Sequence, residues 1–363
     1  MLSSSYKDVS LPTHQLCKQF TLAEIQQIKP LGNGLINDTF LIVTEDTDFV
    51  LQRINTHVFP KPELIMDNLK LLHPHVRQKK AVRLVIPQLI HSLDQQLYYK
   101  DKQNNYWRAL EFIGNTVSKE LISNQHDAEQ VGFALGHFHH LFSDISLDVF
   151  HDTLPGFHVT PKYFQHYQAV IRQGNLPDQS KDLQFCQNFI KAFQPQINVL
   201  EDAKYKGLLF DRIIHGDPKL NNFLFDKSSD NIISLVDLDT VKPGLLHYDI
   251  ADCLRSCCHI LESNSFDLDI CEVILKGYFR EVDTFFTEQD YVFLYPAIQL
   301  IPFELGLRFL TDYLAGNQYF KVEFPEQNLD RAVAQFRLCE NIGEQERKIR
   351  QLIKKCRSMA SAR

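Results

Sequence analysis

The sequence has little that would mark a secreted, disulfide-linked or membrane-spanning protein. Its eight cysteines form no Cys-x-x-Cys pair, and free thiols in this number suit a reducing compartment. The first residues show no basic segment followed by an apolar one, so no secretory signal is predicted. The longest apolar stretch, 292–310, is interrupted by prolines and charged residues and is expected to be a buried helix. Together these features predict a cytoplasmic protein with no membrane partner.

The charge balance also argues against a general nucleic-acid surface. There are 38 Lys and Arg against 45 Asp and Glu, which gives a formal net charge of −7. Hydrophobic residues make up 44% and charged residues 23%, an ordinary globular composition. A chain of 363 residues allows one large or two modest domains. Composition leaves the oligomeric state open between monomer and homodimer.

The segment 215–240 has the spacing of a phosphoryl-transfer site. Asp217 lies in a polar loop, Asn222 follows five residues later, and Asp237 ends an apolar run twenty residues after Asp217. A loop carboxylate can accept the proton of a substrate hydroxyl. An amide and a second carboxylate can hold a metal ion against nucleotide phosphates. A solitary Asp217 would often only cap a turn, but the full spacing favours a kinase-type site.

The residues between the loop and Asp237 predict a β-hairpin. Two short apolar runs, 223–226 and 232–236, bracket a polar turn. The hairpin would deliver the metal carboxylate at its end, with Asp239 two residues further on as a candidate for a second ion. Lys219 lies within the loop and could stabilise the charge of the transferring phosphoryl group.

These residues resemble the aminoglycoside phosphotransferase and choline kinase superfamily. Four further blocks are similar to its N-acetylhexosamine 1-kinase branch: 49–55, 155–162, 236–244 and 306–320. The resemblance implies an α+β fold of the bilobal, protein-kinase-like type. A small antiparallel-sheet N-terminal lobe would span residues 1–113, and a mostly helical C-terminal lobe with the catalytic hairpin would span 114–363.

The resemblance also implies ATP and Mg²⁺ as cofactors and a small-molecule sugar as acceptor. ATP would phosphorylate the anomeric hydroxyl of GlcNAc or GalNAc to give the sugar 1-phosphate. The implied catalytic residues are Asp217 and Lys219, and the implied metal ligands are Asn222, Asp237 and Asp239. Two alternatives stay open: a kinase of the choline, ethanolamine or homoserine type, and a non-catalytic pseudokinase. The C4 epimer of the sugar and the choice between ATP and GTP stay open as well.

The acceptor contacts implied by the resemblance lie in the block 306–320. The predicted substrate-binding residues are Asp217, Arg308, Asp312 and Tyr319. A buried guanidinium and a phenol suit hydroxyl and N-acetyl carbonyl groups. The competing interpretation is that Arg308 only pairs with Glu304 or Asp312, which lie four residues before and after it on a helix.

Nucleotide contacts are predicted along the N-terminal sheet. They are Gly32, Asn33, Gly34, Asn37, Arg53, Glu111 and Ile113. The glycines permit a tight turn over the phosphates, and the last two residues would offer backbone groups to adenine. The third strand lacks the lysine that kinases place there, so Arg53 is predicted to replace it. If the strand is shifted in phase by one residue, Gln52 faces the phosphates instead.

Three further predictions concern residues that support the site. The helix predicted over 62–72 carries Glu63 and Asp67. The resemblance implies that one of these acids pairs with the strand cation, and the alternative is that both are solvated surface residues. Thr21 and Glu24 have capping-box spacing, which predicts that a short helix begins there. The resemblance also implies that Asp249 braces the catalytic loop.

Overall fold

The structure is a computed structural model that describes residues 11–32, 36–174 and 180–360. The strands are β1 (Ile25–Pro30), β2 (Asp38–Thr44), β3 (Phe49–Ile54), β4 (Leu89–Ile90), β5 (Tyr99–Lys100), β6 (Tyr106–Glu111), β7 (Thr116–Val117), β8 (Arg212–Ile214), β9 (Phe223–Asp226), β10 (Ile232–Leu235), β11 (Lys242–Gly244), β12 (His259–Ile260) and β13 (Ser265–Phe266). The helices are α1 (His14–Cys17), α2 (Pro62–Val76), α3 (Gln125–Leu141), α4 (Thr160–Arg172), α5 (Lys181–Phe193), α6 (Val199–Tyr205), α7 (Leu246–Cys258), α8 (Leu268–Val282), α9 (Glu288–Leu314), α10 (Gln327–Glu344) and α11 (Glu346–Ala360).

The N-terminal part is an antiparallel sheet with strand order β1-β2-β3-β6-β4, and β5 also pairs with β6. Alternation along the strands gives the sheet two unlike faces. One face buries an apolar cluster that includes Phe40, Leu51 and Trp107. In the register of β3 and β6, Gln52 lies opposite Arg108 and Arg53 lies opposite Trp107. Gln52 and Arg108 therefore share the other face, which looks toward the helical part.

The rest of the chain is mostly helical and packs around one large core. The longest helix, α9, contacts α4, α7 and α10. It is long and apolar enough to cross a membrane by length and composition, but 61% of its most apolar window is buried against these neighbours. Helix α3 packs closely on α8, where a Cβ on Gly132 would lie 2.0 Å from the Ile274 carbonyl oxygen. Only glycine permits this approach of the two backbones.

The observed architecture confirms the predicted α+β, kinase-like fold, with an antiparallel sheet followed by a helical part. The predicted hairpin is also confirmed, because β9 and β10 pair with Leu235 opposite Phe223. The division into lobes at residue 113 stays a prediction.

The helix predicted at Thr21 is wrong. Thr21 Oγ1 accepts a hydrogen bond from the Ala23 N–H at 3.1 Å within a bend, and β1 begins soon after. The short helix α1 lies earlier and is capped by Thr13. The side-chain spacing of a capping box was present, but no apolar periodicity of a helix follows it.

Candidate active site

The catalytic loop between β8 and β9 is held by a buried carboxylate. Asp249 is completely buried at the start of α7. Its Oδ2 accepts hydrogen bonds from the His215 N–H at 2.6 Å and from His139 Nε2 at 2.9 Å. Its Oδ1 accepts from the Gly216 N–H at 2.8 Å. A buried carboxylate with three donors is well satisfied and rigid, so Asp249 braces the loop as expected.

Gly216 itself requires a conformation that other residues adopt at a cost. Its φ is +88°, and an added Cβ would lie 2.7 Å from the Thr240 backbone oxygen. The neighbouring carbonyl of His215 accepts a hydrogen bond from Thr240 Oγ1 at 2.8 Å. The loop is thus pressed against the turn that follows the hairpin, which brings the predicted base and the predicted metal ligands together.

Only one carboxylate oxygen of Asp217 has hydrogen-bond partners in the described structure. Its Oδ2 accepts from Lys219 Nζ at 2.6 Å and lies 3.3 Å from Asn222 Nδ2, which also donates to the Asp217 carbonyl at 2.7 Å. Its Oδ1 has no hydrogen-bond partner within 11–32, 36–174 or 180–360. The structure therefore brings all three predicted loop residues together and leaves Oδ1 as the oxygen that a substrate proton can reach.

Lys219 lies between two carboxylates. Burial lowers the pKa of its ammonium, but the charges of Asp217 and then Asp237 outweigh burial, so the pKa is raised overall. The lysine therefore stays a cation across the working pH range. It neutralises the loop at the place where the resemblance puts the transferring phosphoryl group.

Asp237 follows β10 in the left-handed conformation, with φ 66° and ψ 55°. This conformation is uncommon for residues other than glycine and asparagine and turns the chain sharply out of the hairpin. The Asp237 side chain is partly open to solvent. Partial desolvation of its carboxylate, followed by the charge of Asp239, raises its pKa to about 7. A bound divalent cation would lower this pKa again, because its charge favours the ionised carboxylate.

The donor set fits a metal bound largely by its substrate. Asn222 uses its amide nitrogen on Asp217, which leaves the amide oxygen for an ion, and Asp237 offers a carboxylate. Among the described residues no cluster of three or more His, Cys, Asp or Glu could hold a metal alone. Mg²⁺ commonly takes one or two protein oxygens, with phosphates and waters completing its shell.

The predicted metal role of Asp239 does not agree with its contacts. Asp239 is 2% exposed. Its Oδ1 accepts a hydrogen bond from Arg108 Nη2, and its Oδ2 accepts one from Asn37 Nδ2 at 2.7 Å. Both oxygens therefore connect the turn 237–240 to the N-terminal sheet. This turn is called the metal loop below, because it begins with the predicted metal ligand Asp237. Asn37 is equally committed, since its Oδ1 accepts from the Asn55 N–H at 3.0 Å.

Arg53 faces away from the site, so the predicted strand phase is wrong. Arg53 Nε donates to Asp38 at 2.8 Å, and the guanidinium lies over Trp107 with 5.8 Å to the ring centroid. The residue that faces the cleft from β3 is Gln52, in agreement with the alternative in which the strand is shifted in phase by one residue. The cation there is Arg108 on the neighbouring strand, 1% exposed, which sequence reasoning missed.

The acids of α2 do not pair with Arg53 either. Glu63 accepts a hydrogen bond from the Tyr106 hydroxyl at 2.6 Å, and Asp67 pairs with Lys70 at 2.6 Å. Helix α2 instead touches the site through Asn68, whose side-chain nitrogen donates to the Val241 carbonyl at 2.9 Å.

The remaining residues that were predicted to contact the nucleotide lie at the two ends of the sheet. Gly32 has a φ of +69°, as a turn glycine should, while Asn33 and Gly34 lie outside the described residues. The Glu111 N–H donates to the Gln88 carbonyl at 2.9 Å. The Ile113 carbonyl accepts from Thr116 Oγ1 at 2.7 Å. In the described chain the Ile113 N–H has no acceptor, so the predicted contact with adenine stays a prediction.

A buried histidine links the catalytic loop to α9. His158 Nε2 lies 2.8 Å from the Gly216 carbonyl, and His158 Nδ1 lies 3.1 Å from Glu304 Oε1. Both partners are acceptors, so both ring nitrogens must donate and the ring is an imidazolium. Burial lowers the pKa of His158, but its hydrogen bond to Glu304 and the charges of Glu304 and Asp252 raise it overall.

We expect His158→Asn to reduce thermal stability most strongly at low pH. Asparagine tolerates the φ of 64° at this position. Removing one partner of a buried ion pair costs roughly 3–5 kcal/mol. Because the folded pKa is raised, the wild-type ring gives its full stabilisation below its unfolded pKa of about 6.5 and loses it as pH rises through the folded pKa.

The test compares the melting temperatures of wild type and His158→Asn from about pH 6 to about pH 9. The exposed His126→Asn on α3 is the control and should show little difference at any pH. A wild-type advantage that stays constant over the range would contradict a buried imidazolium.

Arg308, which was predicted to contact the acceptor, lies in a cage of aromatic rings. Its guanidinium carbon is 5.1–6.0 Å from the ring centroids of four residues, Phe157, Tyr163, Tyr319 and Phe320. Within the described parts of the chain it makes no ion pair or hydrogen bond. Glu304 is engaged by His158 and Thr160 instead. The competing interpretation, that Arg308 pairs with a helix acid, is therefore not supported.

The predicted substrate contact of Asp312 does not agree with the structure. Its Oδ1 accepts from the N–H groups of Gln318 and Tyr319 at 2.9 and 2.8 Å. Its Oδ2 accepts from the Phe320 N–H at 2.9 Å and from Asn328 Nδ2 at 3.0 Å. Asp312 thus folds the segment that closes the aromatic cage. Tyr319 itself is 46% exposed, and its hydroxyl is free within the described structure.

The loop, the hairpin and the antiparallel sheet together define a kinase-like phosphotransferase site. Residues 27–280 match the model of the phosphotransferase enzyme family, and the chain belongs to that family. The matched segment includes the catalytic loop, the hairpin and α7. The protein is accordingly a phosphotransferase with a kinase-like fold.

Solved structures show the same fold. An aminoglycoside phosphotransferase from Alicyclobacillus acidocaldarius matches with a TM-score of 0.64, 14% identity and 100% coverage of both chains. A choline kinase from Cryptosporidium parvum Iowa II matches with a TM-score of 0.59 and 14% identity over 93% of this chain and 96% of its own. Amicoumacin kinase hAmiN, solved with AMP-PNP, Ca²⁺ and Ami, matches with a TM-score of 0.55 and 14% identity over 91% and 92%.

Proposed function

We propose that this enzyme transfers the γ-phosphoryl group of ATP to the anomeric hydroxyl of an N-acetylhexosamine, giving the sugar 1-phosphate. The observation that carries the proposal is the guanidinium of Arg308, enclosed by aromatic rings and lacking an acidic partner in the described structure. The sequence blocks similar to N-acetylhexosamine 1-kinases add to it. Mg²⁺ is the proposed metal, and the proposed location is the cytoplasm.

The acceptor hydroxyl would meet the free Oδ1 of Asp217. As its oxygen attacks the γ-phosphorus, the bond from that phosphorus to the β,γ-bridging oxygen breaks and ADP leaves. The hydroxyl proton passes to Asp217 Oδ1, while Lys219 holds Oδ2 and keeps the carboxylate in place. A divalent ion held by Asn222 and Asp237 would neutralise phosphate charge.

The acceptor side connects directly to this loop. Arg308 contacts the ring of Phe157, whose neighbour His158 bonds the Gly216 carbonyl one residue before Asp217. An acceptor whose hydroxyl reaches Asp217 is therefore well placed for other oxygens to reach Arg308. The guanidinium offers several donors in one plane, which suits hydroxyl and N-acetyl oxygens.

The same cage argues against a cationic acceptor. Aromatic rings bind choline-like ammonium groups through cation–π attraction, but here a guanidinium already occupies the rings. A second cation would meet repulsion in a partly buried space. Homoserine remains the second candidate, because its carboxylate would also pair with Arg308.

A panel of acceptors with ATP and Mg²⁺, scored by ADP release, tests the proposal. GlcNAc and GalNAc are expected to give rates well above the water background, and choline and ethanolamine are not. Homoserine, glucose and an aminoglycoside complete the panel. Preferential turnover of choline, ethanolamine or homoserine would overturn the sugar assignment. If no acceptor in the panel gives ADP release and ATP does not bind, the protein would be better explained as a pseudokinase.

We expect Arg308→Met to raise the KM for the sugar about 5- to 150-fold and to leave the KM for ATP unchanged, because lost polar partners cost about 1–3 kcal/mol. Methionine preserves most of the volume between the rings. Tyr319→Phe should act in the same direction but more weakly. Sugar KM and melting temperature are measured together on each variant.

Arg337→Met is the matched control for that experiment. Arg337 lies on the surface, stacked on Phe185 at 3.9 Å and paired with Glu340. It should change neither KM. A lower melting temperature of Arg308→Met with an unchanged sugar KM would show that the caged guanidinium only supports the fold.

A further inference from the structure

The sheet face that looks toward the metal loop carries a buried cation, Arg108. Its Nε and Nη2 donate to Gln52 Oε1 at 3.0 and 2.7 Å, and Nη2 also donates to Asp239. Gln52 is oriented in turn by Thr39, whose Oγ1 accepts from Gln52 Nε2 at 3.0 Å. Three neighbouring strands therefore fix the plane of the guanidinium.

One nitrogen of this guanidinium has nothing to donate to. Nη1 of Arg108 is fully buried and has no hydrogen-bond partner among the residues the structure describes. Leaving a buried charged donor unpaired is costly, and native structures almost always supply an acceptor. Nη1 belongs to the side chain that holds Asp239, two residues beyond the proposed metal ligand Asp237. A phosphate bound to that metal would lie in the same part of the cleft.

We propose that Arg108 is the phosphate-binding cation of the nucleotide site, with Nη1 donating to a phosphate oxygen of ATP or ADP. The β3 lysine that usually serves this purpose is missing, and Arg53 faces the opposite side of the sheet. A guanidinium can keep Asp239 through Nη2 while Nη1 takes a phosphate oxygen, because its donors point along separate directions. Arg108 thereby joins the nucleotide to the loop that carries the metal ligand.

The competing explanation is that Arg108 only ties the sheet to the helical part through Asp239. Adenosine separates the two, because it has the base and ribose of ADP but no phosphate. If Arg108 only connects the sheet to the helical part, its loss would lower the affinities for ADP and adenosine to the same extent. A phosphate contact affects ADP alone, so the ratio of the two affinities reports it directly.

The experiment measures the affinities of ADP and adenosine by calorimetry on the full chain, without acceptor. For Arg108→Gln we expect ADP affinity to fall about 10- to 100-fold, as for a lost charge-assisted hydrogen bond. Adenosine affinity should stay within about twofold of wild type. Arg53→Gln is the matched control, an arginine on the adjacent strand with the opposite orientation, and should change neither affinity.

Arg108→Lys secures the test if the glutamine variant fails to fold. Lysine keeps the charge beside Asp239 but has a single nitrogen for both partners, so the preference for ADP over adenosine should fall by an intermediate amount. An unchanged preference in Arg108→Lys, an equal loss of both ligands in Arg108→Gln, or a loss of ADP affinity in Arg53→Gln would each overturn the proposal.

This inference rests on the nucleotide site of the proposed function and not on its acceptor. An enzyme that rejects every sugar but binds ADP in an Arg108-dependent way would contradict the proposed function alone. An enzyme that phosphorylates GlcNAc, but whose ratio of ADP affinity to adenosine affinity is the same in the Arg108 variants as in wild type, would contradict this inference alone.

Discussion

Asp217→Asn is expected to lower kcat by about 10²- to 10⁴-fold, the usual contribution of a general base. Asparagine has the same shape and can still accept from Lys219 and Asn222 through its oxygen, so the loop should keep its conformation. It cannot take a proton from the acceptor hydroxyl. ADP binding and melting temperature should therefore stay close to wild type while turnover is lost.

Asp230→Asn provides the control for the same substitution. Asp230 lies in the exposed turn of the hairpin with a φ of 55°, which asparagine adopts readily. Its turnover should equal that of wild type. Turnover of Asp217→Asn within a few-fold of wild type would remove Asp217 from the chemistry, however well the loop is built around it.

Asp237→Asn should raise the Mg²⁺ concentration needed for ATP binding by about tenfold or more, because hard divalent cations depend on carboxylate charge. Asparagine is the informative replacement. Asp237 has a left-handed backbone, so alanine would add strain to the loss of the ligand. Asn222→Ala should have a smaller effect on Mg²⁺, since a neutral ligand is lost.

The measurement is a Mg²⁺ titration of ATP binding on each variant, with Asp230→Asn again as the control. An unchanged Mg²⁺ dependence in Asp237→Asn would mean that the hairpin does not carry the metal. A large effect in Asp239→Asn alone would return the metal role to Asp239 and contradict its assignment as a tie to the sheet.

The catalytic loop and the hairpin could be predicted because their signals are local. The spacing from Asp217 to Asn222 and the apolar runs of the hairpin depend on a short stretch of chain. A rigid local motif leaves few alternative arrangements. The fold and the brace by Asp249 were predicted from the resemblance to the phosphotransferase superfamily instead.

The strand cation could not be placed with the same certainty. In β3, Gln52 and Arg53 are both polar and both partly exposed. The alternation of polar and apolar residues along the strand therefore could not show which of the two faces the site. A signal for Arg108 was nevertheless present. It is the charged residue within the apolar and aromatic run 106–110 of β6, where a buried charge must find a partner. That partner, Asp239, is far away in sequence.

Asp239 and Asp312 show a related limit. Sequence patterns identify a carboxylate near a site but not how many donors already surround it. Both oxygens of each side chain are taken by groups brought in from other elements or from the following loop. Satisfaction of hydrogen bonds is a property of the folded chain, and it separates structural acids from those free to bind a ligand.

The central claim, phosphorylation at the anomeric oxygen of an N-acetylhexosamine, is tested most directly by the identity of the product. GlcNAc is incubated with ATP, Mg²⁺ and the enzyme, and the product is analysed by phosphorus and proton NMR. We expect a phosphate whose phosphorus couples to the anomeric proton, formed in equal amount to ADP and formed about 10²- to 10⁴-fold more slowly with Asp217→Asn. Phosphate on any other oxygen of the sugar, or no sugar phosphate while another acceptor is turned over, would contradict it.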